Sequence, residues 1–466
     1  MTKKFFVTTP IYYVNDVPHI GHACTTIAAD ILARSHRQRG EEVFFLTGTD
    51  EHGAKIAQAA EKEGLSPLEF CDKIAPQFEE NWKKLDISYD YFIRTTNPEH
   101  EKVVQALILK IKENGYIYDA TYKGWYCVGC EAFKTPDELV DGKCVEHPNK
   151  DLEWYEEKNW FLNLRKVIAD NPTVFEKLAY SFPENKRNEM LGKIKIMEND
   201  VSISRANVKW GIPIPWDTEQ TVYVWFDALI NYYSATRFVD GKAEFWPADV
   251  HLVGKGINWF HSVIWQGMLL AAGIDIPKKV FAHSHYNTAG QKMSKSLGNV
   301  IAPFELVNKF GVDATRYMIA KSFPENDDSD ITWEKLTETY NADLANNLGN
   351  LVSRLAALAE GLEIDKKEIK ISIEYLEKID NFALPSACEW VFKNYIDPIN
   401  QKLNEVKPWK LEANDPVRIT FLKESIGNLL IATHHLKPIM PNAAKDIIEH
   451  FERKIEKKQT PVFARI

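Results

Sequence analysis

From Phe5 to Gly115, short apolar runs and amphipathic runs take turns, and this alternation constrains the fold more than anything else in the chain. Phe5 to Thr9 reads as a buried strand. Ala23 to Arg39 reads as a helix with Ile27, Ile31 and Leu32 on one face and Gly40 at its end. Glu42 to Thr47 is a second strand, and Ala54 to Glu63 is a helix that Gly64 stops. Ser66-Pro67-Leu68-Glu69 starts another helix, with a serine cap, a proline in the first turn and a glutamate three after the cap. Tyr89 to Arg94 is a strand, and Asn97-Pro98 opens a helix closed by Gly115. Such a series is expected to fold as an α/β, doubly wound (Rossmann-like) parallel sheet wrapped by helices.

The pattern breaks at about Tyr116. Short β-prone pieces and turns follow to about Pro215, after which strand and helix signals resume at Val222-Tyr223-Val224-Trp225. His251 to Gly254 is a strand, Asn258 to Ala272 a helix, and Lys279 to Ala282 a strand. The middle piece therefore reads as an insertion that splits one sheet domain. From about Trp333 to Lys458 nearly everything is helical, with Leu348, Leu351, Val352, Leu355 and Leu358 at helical spacing and Pro408, Pro438 and Pro441 between helices. The expected division is 1–115 and 221–285 for the two halves of the catalytic sheet domain and 116–220 for the insertion. A linking stem with a lysine loop takes 286–345, and an all-α bundle 346–466 that ends in an extended tail from Gln459. A length of 466 residues fits several domains.

Two short strings, distant in sequence, carry the chemistry. His19-Ile20-Gly21-His22 follows the first strand at the mouth of the first helix. A helix N-terminus offers N–H groups and partial positive charge to phosphate, and Gly21 lets a nucleotide approach the backbone. Two imidazoles three residues apart can donate to the same phosphate oxygens, although a surface pair capping a helix would look alike. Lys292-Met293-Ser294-Lys295-Ser296 lies between Gly290 and Gly298 and reads as a mobile cationic loop, although a lysine pair taken alone is more often a solvated charged turn. In this order, around this sheet pattern, the strings read as two halves of a site that splits ATP between its α- and β-phosphates.

The remaining cysteine signal is metallic. Cys127-Val128-Gly129-Cys130 and Cys144-Val145-Glu146-His147 form two chelating pairs, a Cys₃His set with tetrahedral zinc spacing. Four protein ligands close the site, so one structural Zn²⁺ is expected. The other three of the six cysteines, Cys24, Cys71 and Cys388, are expected to be buried apolar residues. A net charge of −9 argues against a small basic nucleic-acid binder but leaves room for a basic face on a large enzyme. No apolar run of about 18 residues offers a membrane span. The N-terminus passes straight into a strand, so no targeting peptide and a cytoplasmic location are expected.

The two strings resemble the signature of class I aminoacyl-tRNA synthetases. Further motifs resemble the methionyl-tRNA synthetase family: Pro10-Ile11-Tyr12-Tyr13-Val14-Asn15, Leu46-Thr47-Gly48-Thr49-Asp50-Glu51-His52-Gly53, Ile203-Ser204-Arg205, Trp210-Gly211-Ile212-Pro213, Tyr223-Val224-Trp225-Phe226-Asp227-Ala228, Gly254-Lys255-Gly256 and Trp259-Phe260-His261. The resemblance implies activation of L-methionine by ATP, with Mg²⁺, and transfer to tRNA(Met). It implies that His19, Gly21 and His22 hold the nucleotide and that Lys292 and Lys295 close over the leaving phosphates. Asp50 would bind the methionine ammonium, although alone it reads as a strand-end cap. Arg205 would reach the reacting centre, and Gly254 and Lys255 would line the ribose and phosphate side.

By the same resemblance Ile11, Tyr13, Trp225, Ala228, Leu229, Tyr232, Ile257, Phe260, His261 and Trp265 form the methionine pocket. Ile257, His261 and Trp265 are four apart and share a helix face, a stripe that plain core would also produce. The family pattern places a zinc knot in the insertion as well. Asn400, Asn404 and Trp409 match its anticodon-recognition helix, Trp409 being equally suited to packing beside Pro408. No tryptophan follows Trp409 to stack on a base, which leaves His450 or Phe451 as stand-ins. No added β-barrel module follows the bundle, so a monomer is expected. An insertion of this size leaves no room for an editing domain, which sets the chain apart from the synthetases for branched aliphatic amino acids.

Overall fold

A computed structural model describes residues 2–14, 18–127, 129, 132–134, 139–145, 149–288, 290–292, 301–364, 368–452, 455 and 461–466, with the backbone alone at 122, 123, 132, 133, 155, 291 and 292. Six parallel strands form the central sheet: β1 (Lys4–Tyr13), β2 (Glu42–Asp50), β3 (Tyr91–Arg94), β4 (Ser181–Phe182), β5 (Val250–Gly254) and β6 (Val280–His283). Their spatial order is β3-β2-β1-β5-β6-β4, every pair parallel. The order reverses between β1 and β5, the crevice where doubly wound sheets bind ligands. From β1 the chain turns into helix α1 (Ile20–Gln38), whose first residues lie at that crevice.

Near-continuous apolar runs form these strands because both sheet faces are covered. Successive side chains alternate between faces: Phe5 and Val7 enter the core shared with α1, and Phe6 enters the core shared with helices α2 (Pro98–Glu113) and α3 (Val224–Phe238). At Gly48 a side chain would place Cβ 1.9 Å from Ile93 O, so the close approach of β2 and β3 requires glycine.

The insertion is built on a long antiparallel pair, Ile117–Cys127 with Glu153–Leu162, flanked by Ala132–Lys134 and Val201–Ser202. It also returns β4 to the edge of the main sheet, a pairing of two residues with β6 too short to leave a periodic signal. The C-terminal part is helical, including Val312–Lys321, Asn350–Leu358, Ile373–Asp380, Asp397–Val406, Pro416–Leu436 and Pro441–Phe451. It shares one apolar core with β1 and α1. The tail packs rather than trails: Phe463 is buried, and the Tyr340 hydroxyl donates to Ala464 O at 2.7 Å. Among the described residues no helix is long and apolar enough to cross a membrane.

A buried charge ties these parts together. Arg316 donates to Asp30 of α1 at 2.6 Å, to the carbonyls of Leu85 and Asp86, and to those of Pro438 and Ile439 in the helical part. The C-terminal end of α1 is held as well, by Arg39 on Asp380 and by Gln38 on His434 O.

Candidate active site

The first string caps its helix with imidazoles. His19 is the N-cap, with extended backbone at φ −121°, and its Nδ1 accepts from Gly21 N–H at 3.1 Å. His22 Nδ1 accepts from His19 N–H at 3.3 Å, and the two rings stack 3.7 Å apart. This is a capping box with histidine in both positions that serine and glutamate usually fill. The helix thus begins at Ile20, three residues before the apolar periodicity does. With Nδ1 accepting, Nε2 of each ring carries the proton and is a donor. A Cβ on Gly21 would stand 2.9 Å from His19 Cε1, so only glycine lets the first ring fold back over the helix mouth.

The second string leaves β6 through the short strand Tyr286–Thr288, which pairs with Gln291–Lys292. The backbone of Lys292 is in that hairpin; its side chain and all of Lys295 lie outside the described residues. The return of the chain is described. Ile20 N–H donates to Ile301 O at 3.2 Å, so the residues that follow the lysine string rest on the backbone of the histidine string. Thr25 of α1 also bonds His283 of β6, 2.7 Å between Oγ1 and Nε2.

The expected amino-acid pocket lies on α3 and the helix after β5. Trp225 and Phe260 stack at 4.1 Å, and with Ile11, Tyr13 and Ile257 they are partly exposed around one core, while Leu229, Tyr232, His261 and Trp265 are buried. His261 Nδ1 donates to Ile257 O at 3.0 Å, so its Nε2 accepts from the Tyr232 hydroxyl at 2.7 Å. Burial pushes the His261 pKa down to about 4, against the opposing bond to Ile257. Ala228 is buried in the first turns of the same α3. Behind this wall stands His251, which the sequence reading did not assign. Its Nε2 accepts from Trp265 Nε1 at 3.2 Å, its Nδ1 lies 2.7 Å from Thr8 Oγ1, and its ring packs 4.3 Å from that of Tyr232. A lone histidine in an apolar strand gives no signal until its neighbours are known.

Asp50 ends β2 and is buried, opposite Tyr13 in the register. The segment after it is clamped. Glu51 accepts from Thr49, Arg94 and Thr96, its carbonyl accepts from Trp210 Nε1 at 2.6 Å, and Tyr13 donates to His52 O at 3.0 Å. Gly254 ends β5, and Lys255 pairs with Asp328 at 2.6 Å. Arg205 is buried on a strand of the insertion junction, its guanidinium 3.9 Å from the Tyr223 ring and bonded to Ser202 and Ser204.

Of the expected zinc ligands, Cys127 and Cys144 are described and buried. Cys130 and His147 lie outside the described residues, and among the described residues no group of three or more His, Cys, Asp or Glu side chains is arranged to hold a metal ion. Gly129, between the first pair, accepts through its carbonyl from Lys55 Nζ at 2.6 Å, tethering that turn to the helix after β2.

In the helical part, Asn400, Asn404 and Trp409 face the Asn347–Arg354 stretch. Asn400 donates to Asn347 Oδ1 at 2.6 Å, and the Arg354 guanidinium lies 5.4 Å from the half-exposed Trp409 ring and 3.5 Å from Asn404 Oδ1. Asn347 and Arg354 carry no sequence signal of these contacts, because their helix reads in sequence as plain core. Phe451 is fully buried and cannot stack on a base; this corrects the expectation for it, since its ring faces the bundle core.

The chain is similar to known proteins over nearly its whole length. The family profile described as tRNA synthetases class I (M) matches residues 5–151 and 134–356. A methionine–tRNA ligase of Thermotoga maritima is 42% identical over 98% of this chain and 76% of its own. One of Thermosynechococcus vestitus is 44% identical over 96% of this chain and 90% of its own. The solved structure of Mycobacterium tuberculosis methionyl-tRNA synthetase in complex with methionyl-adenylate superposes with a TM-score of 0.89 at 32% identity, covering 100% of both chains.

Proposed function

The chain belongs to the class I tRNA synthetases, among the methionine–tRNA ligases, and from that premise we infer how its residues divide the reaction. L-Methionine is first activated: a carboxylate oxygen attacks the α-phosphorus of ATP, the bond to the β-phosphate oxygen breaks, and methionyl-adenylate and pyrophosphate form. A hydroxyl of the terminal adenosine of tRNA(Met) then attacks the activated carbonyl, loses its proton and displaces AMP. Neither step needs a nucleophilic side chain, so the protein acts by positioning and by meeting charge as it develops.

The bond from Ile20 N–H to Ile301 O carries this reading, because it joins the flank of the lysine string to the imidazole-capped helix mouth at the switch point of the sheet. Around that junction His19 and His22 donate to the nucleotide phosphates, and Gly21 admits it. Lys292 and Lys295 close over the leaving pyrophosphate, and Gly254 and Lys255 line the ribose side. Mg²⁺ that arrives with ATP neutralises charge on the phosphate oxygens. Asp50 binds the ammonium of methionine, and Arg205 meets charge near the reacting centre. The pocket from Ile11 to Trp265 takes the thioether side chain, with aromatic faces and few polar atoms to favour it. The Cys127, Cys130, Cys144 and His147 set holds one structural zinc. Buried thiols at the ends of two strands of the insertion, Cys127 and Cys144, suit that role. Asn400, Asn404, Trp409, Asn347 and Arg354 form the face that reads the anticodon, mixing amides, a cation and an aromatic ring as single-stranded bases require.

The test is amino-acid-dependent ATP–pyrophosphate exchange with each of the standard amino acids. Methionine alone is expected to support exchange. Exchange driven equally by another amino acid, or by none, overturns the assignment.

A further inference from the structure

Asp227 has no part in the division of labour above, yet it occupies a demanding place. It lies in the first turn of α3, between Trp225 and Ala228, and is 1% exposed. Each carboxylate oxygen is 2.7 Å from an imidazole nitrogen, Oδ2 from His52 Nδ1 and Oδ1 from His100 Nε2. An ionised carboxylate only accepts, so both rings donate to it. Burial alone would raise the Asp227 pKa, but the two imidazoles outweigh it and hold the carboxyl below its ordinary value. His52 also faces Glu101 at 3.9 Å and the nearby Glu51.

The three residues come from three elements. His52 follows Asp50 on the clamped segment beyond β2. His100 is on α2, and its Nδ1 lies 2.7 Å from Ser234 Oγ further along α3. The bonds already described tie the clamped segment to β1, to β3 and to Trp210. The His52–Asp227 bond ties it to α3, the helix that carries Trp225, Ala228, Leu229 and Tyr232. Apolar packing has no directional bond, whereas two charge-assisted hydrogen bonds to one carboxylate fix both distance and angle.

We propose that Asp227, held between His52 and His100, is a positioning residue that sets the separation between the amine-binding Asp50 and the side-chain pocket on α3. Methionine must bridge that separation with its amino group at one end and its thioether at the other. The proposal rests on the reading of Asp50 and the pocket given above.

The experiment uses the full chain with Asp227→Asn, Asp50→Asn and His100→Asn, and two ligands, L-methionine and its analogue that lacks the amino group. The analogue fills the pocket but makes no use of Asp50. Asparagine at 227 turns one acceptor into a donor facing an N–H, so one of the two bonds is lost. Asp227→Asn is expected to weaken methionine by about tenfold while changing the analogue's inhibition constant and the KM for ATP by less than about twofold. His100→Asn keeps the His52 bond and is expected to shift the same ratio in the same direction by a smaller factor, which covers an Asp227 variant that does not fold. Equal loss for both ligands, or no change in their ratio in either variant, overturns the proposal. If Asp50→Asn fails to weaken methionine selectively, the reading of Asp50 itself falls, a result separate from the other two.

Discussion

Arg316→Met is the substitution whose cost the structure sets most closely. The Arg316 and Asp30 side chains are both 0% exposed, and their ion pair is 2.6 Å long. The guanidinium donates five hydrogen bonds, one to Asp30 and four to backbone carbonyls between 2.9 and 3.3 Å. Burial alone would raise the Asp30 pKa, but Arg316, then Arg34 and Ser88, outweigh it and hold the carboxyl below its ordinary value. Methionine fills the stem of the site and supplies no donor. Removing one partner of a buried pair costs about 3–5 kcal/mol, and a carbonyl left dry costs about 1–3 kcal/mol. Arg34, 2.7 Å from the same carboxylate, and Ser88 remain, so Asp30 is not stranded. The expected loss is therefore about 4 kcal/mol rather than the sum. It is read as a lower urea midpoint at unchanged slope. A cycle with Asp30→Asn should show coupling of about 2 kcal/mol. A loss below about 1 kcal/mol, the worth of a surface pair, would refute the reasoning.

His261 supplies a pH test. Its folded pKa of about 4 is depressed by burial, while the unfolded ring titrates near 6.5, so between those values the unfolded chain binds a proton that the folded chain refuses. Stability should rise with pH across that window by about 1.4 kcal/mol per unit from this group. His261→Gln should flatten the pH dependence of the urea midpoint by about one proton, and an unchanged slope would contradict the assignment. Asn400→Ala should weaken charging of tRNA and spare ATP–pyrophosphate exchange; equal damage to both would mark the residue as structural. Metal analysis of the purified chain should return about one zinc, and chelation should lower the urea midpoint and the activity together. Unchanged activity and midpoint after zinc removal would discount the Cys₃His knot.

Much of the fold is legible in the sequence because a parallel sheet covered on both faces demands apolar runs such as Phe5-Phe6-Val7, and its helices demand the spacing of Ile27, Ile31 and Leu32. The features that stay hidden are pairwise. Asp30 reads as one more polar residue of an amphipathic helix, and its partner Arg316 lies in another region of the chain. His251 is silent until Trp265 and Tyr232 close on it. The edge strand β4 has two residues and hence no period. Phe451 looked available for stacking because helical spacing gives a face without saying which neighbours cover it. The helix start at Ile20 was displaced for a related reason. Histidine is an unusual cap, and only the bonds from Gly21 N–H and His19 N–H reveal it. The Cys₃His spacing and the lysine string were legible as motifs, but His147, Cys130 and Lys295 lie outside the described residues, so their geometry rests on chemistry alone.

The unusual cap and the buried pair belong to one helix, and that gives α1 a meaning beyond packing. Its first turn carries His19 and His22, its middle carries Asp30, and its last turn carries His36 and, just beyond, Arg39. Nineteen residues of α-helix make a rod of about 28 Å. One end lies at the crevice between β1 and β5; the other is fixed to the helical part by the Arg39–Asp380 pair and by Gln38 on His434 O. Asp380 itself is held well below the ordinary carboxylate range, because His36 and Arg39 outweigh the burial that would raise it. A rod bonded at its middle and at one end cannot tilt without breaking charged contacts, so the orientation of the imidazoles is set by the same bonds that seat the bundle. Charge buried along α1 thus adds directional bonds to its close apolar packing, and those bonds fix the angle of the helix.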